Sequence, residues 1–212
     1  MAAAHTERPS EAIQDYAKAI YALQLRGDGH PVATNDLAER LDEMGLARHA
    51  PYHGVELTER GSQLALEILR HHRLLELYLA EHLGVPWDRV HDEAEALEHV
   101  ISEDLEARIA AKLGNPTHDP HGDPIPDAQL RIEQDTTRKL TDLEPGDRGR
   151  FVRVSDSDPA MLRYLDERGI QLGDRLEVVD RQPFEGPLTV RFGAREHVLG
   201  GALAEAMRVE LD

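Results

Sequence analysis

The sequence predicts a mainly α protein with a small β domain. Three observations carry that reading. Two long segments between Thr58 and Leu113 repeat apolar residues at helical spacing. About 70 C-terminal residues alternate apolar and polar side chains between glycine-containing turns. Near the N-terminus, a short helical pattern runs into strand, turn and strand, the outline of a winged helix-turn-helix.

Ser10 is placed to cap a first helix, with Ile13, Tyr16, Ala17 and Ile20 at helical spacing and an end near Gly27. Asp15 lies off that stripe, either solvated or free to face another element. In V-A-T-N-D-L-A-E-R-L, Thr34 caps a short helix through Leu41, and Thr34 and Asn35 are candidate DNA contacts. The chain then passes through Asp42, Glu43 and Met44 straight into G-L-A-R-H-A-P-Y-H-G-V-E-L-T-E-R-G, a candidate wing. Arg48, His49 and His53 give it polar or positive character for phosphate contact, although any short surface hairpin reads the same way. No second helix stands between helix and wing. The recognition helix that would read the major groove is missing after Leu41, and joining the pieces there is expected to strain a core that normally buries its apolar side.

From Thr58 to about Leu83, Leu64, Ile68, Leu75 and Leu79 mark a long helix, which G-V-P-W-D terminates. A second helix is expected from Val90 to about Leu113, its apolar stripe formed by Val90, Ala94, Leu97, Ile101, Leu105 and Ile109. On its polar face stand His91, Glu95, Glu98, His99 and Ser102. Such a face reads either as a solvated charged stripe or as a ligand set. His72 and Glu76, at i and i+4 on the preceding helix, favour the second reading, because both side chains can reach one ion. Two adjacent amphipathic helices predict a helical dimerisation layer. Gly114 to Pro126, which contains His118 and His121, is too rich in proline and glycine for a helix and is expected to be an ordered loop or linker. Asp127 to Asp142 reads as a tether. The alternating segments beyond it, interrupted by a short helix from Pro159 to about Arg168, predict a small β-barrel.

Composition narrows the chemistry. No run approaches the roughly 18 apolar residues of a membrane span, and M-A-A-A-H-T-E-R-P-S lacks a signal peptide's basic and apolar regions, so no membrane partner and a cytoplasmic location are expected. The chain has no cysteine, so a metal site must use oxygen and imidazole donors. A net charge of −17 argues against a diffuse polyanion-binding surface but leaves room for one local basic face.

In order along the chain, I-Y-A-L, L-A-E-R-L, G-V-E-L-T-E-R-G, H-H-R-L-L-E, V-H-D-E-A-E-A-L-E-H, P-H-G-D-P-I-P and L-G-D-R-L-E-V-V-D resemble the diphtheria toxin repressor family of metal-dependent transcriptional regulators. The resemblance spans nearly the whole chain. It implies a winged-helix DNA-binding domain over 1–64, a helical metal-binding and dimerisation domain over 65–134, and a tether plus SH3-like domain over 135–212. It also implies a primary metal site of Asp15, Glu95, Glu98 and His99 and an ancillary site of His72, Glu76 and His91. Iron-type members carry methionine and cysteine where this chain has Asp15 and Glu95, so the resemblance is to the manganese-type branch. Three carboxylates and an imidazole are hard donors that suit Mn²⁺, with Fe²⁺ as the alternative. Lys18 takes a place where some manganese-type members have a further glutamate, which argues against their two-manganese arrangement. Ligands that the SH3-like domain lends in long members fall near Ser157 and Ala160; Asp156 or Asp158 is the available substitute, or else these aspartates merely cap the helix at Pro159.

The expected function is metal-dependent transcriptional regulation, with a homodimer binding a palindromic double-stranded DNA operator when loaded. A metalloenzyme is disfavoured because no nucleophile motif accompanies the cluster. The missing recognition helix leaves as the alternative a metal-binding dimeric module with no DNA-reading role.

Overall fold

Ile13, Ala17 and Ile20 recur every three or four residues, and in the computed structural model they are the buried stripe of helix α1 (Glu11–Arg26). The structure describes residues 10–26, 41–50, 54–184 and 186–212. Thr34, Asn35 and His53 lie outside them, as does the side chain of His49.

Residues 41–43 are helical. This helix stops in a Schellman arrangement, in which Leu46 N–H donates to the Leu41 carbonyl and Gly45 N–H to that of Asp42, with Gly45 at φ 68°. Leu41 is fully buried beside Ile13, Ala17 and Ile20. The expected strain at this junction is therefore not seen; the chain turns cleanly into β1 (Ala47–Ala50), which pairs antiparallel with β2 (Gly54–Leu57) and sets exposed Arg48 opposite Glu56.

Thr58 caps α2 (Glu59–Leu83), its hydroxyl accepting from Gly61 N–H, and Gly84 ends the helix in the left-handed region at φ 66°. A Cβ on Gly61 would stand 1.8 Å from the Leu46 carbonyl oxygen, so only glycine lets the first turn of α2 lie against the hairpin.

The single helix expected from Val90 to Leu113 is two, α3 (Val90–Leu97) and α4 (Glu103–Lys112). Ser102 is not on a shared polar face. It caps α4 by accepting from Leu105 N–H, and Glu103, Asp104 and Glu106 favour the positive end of that helix. The break also divides the apolar stripe: Val90, Ala94, Ile101 and Ile109 are buried, whereas Leu97 and Leu105 are exposed.

Beyond α4, the loop 114–126 folds back on α2. Arg73 of α2 donates to the Pro124 carbonyl and pairs with Asp123 at 3.1 Å. Val154 N–H, on the C-terminal sheet, donates to the His121 carbonyl. The loop thus joins helices to sheet.

The end of the expected tether belongs to the sheet unit, as β3 (Arg138–Lys139) and a 3-10 turn (Leu140–Asp142) whose Leu140 is fully buried. β4 (Arg148–Val154), α5 (Pro159–Glu167), β5 (Arg175–Arg181), β6 (Leu188–Phe192), β7 (Arg195–Leu199), α6 (Gly201–Ala206) and β8 (Met207–Leu211) complete it. The order is β3-β8-β4-β5-β6-β7, antiparallel throughout, over a core containing Phe151, Val178, Val190, Leu199, Met207 and Val209. A closed barrel was expected. Among the described residues the sheet is open, because pairing stops at two-residue β3 on one edge and at β7 on the other.

Candidate metal centre

Glu98 is the hub. It follows the last turn of α3, its side chain has no exposure, and it reaches four neighbours. Lys18 Nζ lies 2.6 Å from Oε1, His72 Nδ1 2.6 Å from Oε2, His99 Nε2 3.4 Å from Oε1, and His71 Nδ1 3.1 Å from the backbone carbonyl. α1 supplies Lys18 and Asp15, α2 supplies both of the histidines at 71 and 72, and the break between α3 and α4 presents Glu98 and His99.

Asp15, Glu98 and His99 each offer a ligand atom, all within 4.8 Å of one another. Gln14 Oε1 lies 3.3 Å from His99 Nδ1. As that oxygen only accepts, Nδ1 donates to it, and Nε2 is turned toward Asp15 Oδ1, 2.7 Å away. Asp15 Oδ1 is buried and makes no hydrogen bond. Lone pairs converging out of water favour a cation between them.

Glu95 does not join those three. It sits 2.9 Å from Lys18 Nζ and 3.6 Å from His72 Nδ1, its side chain 44% exposed, and it groups with His72 and Glu98. Burial alone would disfavour charge on Lys18, but Glu98 and Glu95 outweigh it and raise its pKa.

A second cluster contains His72, Glu76, His91 and Asp156, again within 4.8 Å. His72 Nε2 is 3.2 Å from Glu76 and 3.2 Å from His91 Nδ1, which in turn is 2.9 Å from Asp156. Burial opposes charge on His72, yet hydrogen bonds to Glu76 and Glu98 raise its pKa to about 9. The hydrogen bond His91 donates to Asp156, then that to Glu76, lifts its pKa to about 10. Burial would raise Glu76, but the hydrogen bonds from His72 and His91 hold it well below the usual carboxylate range. Glu76 Oε1 is buried among three imidazoles, 3.2 Å from His72 Nε2, 3.5 Å from His91 Nδ1 and 3.8 Å from His121 Nδ1.

Asp158 lies apart from this cluster. Its carboxylate accepts from Ala160 N–H as the cap of α5, while Asp156 alone carries the sheet unit to His91. His121, placed by the sequence only in a proline- and glycine-rich loop, is completely buried. Its Nε2–H donates to the Trp87 carbonyl at 2.7 Å, leaving Nδ1 without a partner 3.8 Å from Glu76, and Glu76, Asp119 and His121 form another ligand-spaced group. The one signal for it in the sequence was its place in P-H-G-D-P-I-P. Of the candidate DNA contacts, only Arg48 is described with its side chain, and it is exposed on β1.

Residues 58–127 match the model of the iron dependent repressor, metal binding and dimerisation domain, and residues 138–211 match the FeoA domain. The iron-dependent repressor IdeR of Mycobacterium leprae is 46% identical over 206 residues, covering 91% of this chain and 88% of that protein. The chain belongs to the iron-dependent repressor family. IdeR of Mycobacterium tuberculosis is 39% identical over 219 residues, with 92% of this chain and 95% of the relative aligned. As 219 positions exceed what that share of a 212-residue chain supplies, this chain lacks internal segments that the relative has. A solved manganese-dependent transcriptional repressor in complex with manganese superposes with a TM-score of 0.83 at 40% identity, over 94% of this chain and all of that one.

Proposed function

We propose that this iron-dependent repressor family member is a Mn²⁺- or Fe²⁺-responsive transcriptional regulator that binds a palindromic DNA operator as a homodimer. One observation carries the reading: Asp15, on the N-terminal helix that packs against the hairpin unit, meets Glu98 and His99 eighty-odd residues away. A cation held there supplies positive charge that removes repulsion between the carboxylates of Asp15 and Glu98. The chain's own residues then do the rest. Asp15 fixes the angle of α1 against α3, Gln14 holds the His99 ring in the receiving tautomer, and His72 links this cluster to the one with His91. Fixing that angle fixes the spacing of two reading heads across a dimer. At a free ion concentration about 1,000 times Kd, linkage contributes about 4 kcal/mol per site toward the competent state.

The donor types support Mn²⁺ first, since the first cluster is two carboxylates and one imidazole, with no sulfur. Exposed Leu97, Val100 and Leu105, at and beside the break between α3 and α4, provide the apolar surface for a second copy. The C-terminal sheet is the SH3-like domain, lending Asp156 to the second cluster, and the cytoplasm is the compartment of such a regulator; among the described residues no helix is long and apolar enough to cross a membrane.

One observation favours a second reading, a metal-responsive dimeric module without DNA readout: among the described residues, the helix ending at residue 43 passes directly to β1 at Ala47. Duplex DNA selected from a random pool in the presence of Mn²⁺, then titrated by fluorescence anisotropy, separates the two. Mn²⁺-dependent binding that disappears in Asp15→Ala supports the regulator. Binding unaffected by Asp15→Ala overturns the mechanism, and failure to retain any DNA establishes the module.

A further inference from the structure

His71 stands next to His72 on α2 but faces α4, and its ring is fully buried. Nδ1 is 3.1 Å from the Glu98 carbonyl oxygen, which only accepts, so Nδ1 carries the proton. Nε2, on the other side of the ring, is turned toward two carboxylates of α4. It makes no hydrogen bond, although Glu106 Oε2 lies 3.4 Å away and Glu103 Oε1 3.6 Å away. A buried ring nitrogen this close to two carboxylates without a hydrogen bond is costly unless a positive charge, a proton or a cation, stands between them.

Glu67, one helical turn before His71, completes the arrangement. Glu67, His71 and Glu103 each present a ligand atom, all within 4.8 Å of one another. Glu106 is already held by Arg70, whose Nε is 2.7 Å from Oε1, and so acts as an outer support. None of the three residues belongs to the clusters built on Asp15 or His91.

We propose that Glu67, His71 and Glu103 form a further divalent-cation site on this chain. One imidazole and two carboxylates suit Mn²⁺, Fe²⁺ or Zn²⁺. The Glu103 side chain is 70% exposed, so the site opens to solvent and water fills its remaining positions. The backbone bond from His71 to Glu98 is the support that ligating histidines characteristically use, with the far ring nitrogen tied to a carbonyl. An ion here staples α2 to the first turn of α4, immediately past the break that presents Glu98 and His99.

The rival occupant is a proton on Nε2, pairing with Glu106. Counting Mn²⁺ bound per chain on the full-length protein, from the EPR signal of the free ion, distinguishes them. Glu103→Gln removes an exposed ligand without opening the core, and it is expected to bind one ion fewer per chain than wild type. Asp15→Ala is expected to lose a different ion, and the double variant both. Glu67→Gln repeats the test from α2. An unchanged count and unchanged affinities in Glu103→Gln and Glu67→Gln overturn the proposal. The count does not depend on DNA binding, so its failure is separate from failure of the regulator reading.

Discussion

Lys18 and Glu98, 80 residues apart in the chain, meet at 2.6 Å inside the cluster that also holds Asp15 and His99. The same ammonium reaches Glu95 at 2.9 Å. A resident cation thus neutralises the two glutamates, and an incoming divalent ion has to compete with it for Glu98. Lys18→Gln is expected to tighten Mn²⁺ binding by about tenfold, equivalent to about 1.4 kcal/mol. It should also lower the melting temperature of the metal-free protein, since breaking a largely buried pair leaves uncompensated carboxylates. Calorimetric titration of wild type and variant measures the first effect; equal affinities would mean that Lys18 does not compete.

Asp156 is the sheet unit's contact with His91, at 2.9 Å, and burial there is outweighed by that hydrogen bond, which holds its carboxyl below the ordinary value. Asp156→Ala should weaken metal binding at the second cluster by about 10- to 100-fold, the scale of losing a supporting carboxylate, and leave the Asp15 cluster at its wild-type affinity. Two-site fits of Mn²⁺ titrations test this, and a loss at the Asp15 cluster instead would count against the assignment.

Protons compete for the same histidines. His72 rises to about 9 and His91 to about 10 against an ordinary 6.5, so the folded, metal-free protein holds these protons more tightly than the unfolded chain. Their stabilisation is complete below pH 6.5 and is lost as pH climbs through 9 to 10. Metal binding has the opposite sign, because ligating imidazoles must be neutral. Melting temperatures in chelator should therefore fall from pH 6.5 to 10, while Mn²⁺ affinity rises from pH 6 to 9 with proton release. A Mn²⁺ affinity independent of pH would exclude His72 and His91 as ligands.

Gly61→Ala puts a methyl 1.8 Å from the Leu46 carbonyl oxygen, where backbone and not a flexible side chain must move. The expected cost is about 3 kcal/mol, at the upper end for overpacking, read from chemical denaturation. Gly45→Ala meets no neighbour within 4 Å, and its cost, about 1 kcal/mol, comes from φ 68° alone.

The helices, the hairpin and most strands were legible because their signals are local. Ile13, Ala17 and Ile20, or the alternation in Arg175–Arg181, specify a face without reference to distant residues. The break after Glu98 was not, since Leu97 and Leu105 continue the apolar period even though they face solvent; Ser102 followed by Glu103 and Asp104 was the competing capping signal. Residues paired at i and i+4, such as His72 and Glu76, are readable on one helix. The burial of His121 is not, because it depends on Trp87 and Val154 closing over a loop. Nor does any spacing reveal that Lys18 comes between Glu95 and Glu98, a meeting set by how α1 crosses α3.

α2 runs unbroken from Thr58, against the hairpin, to His72, between the two candidate clusters. Fourteen residues at 1.5 Å each make a lever arm of about 20 Å. With Gly61 seated on Leu46 there is no slack at its far end, so a tilt of about 5° at the histidine moves the hairpin by about 2 Å, more than half the 3.4 Å between neighbouring base pairs. An adjustment the size of a bond length at His72 becomes, at the other end of one helix, a change of register.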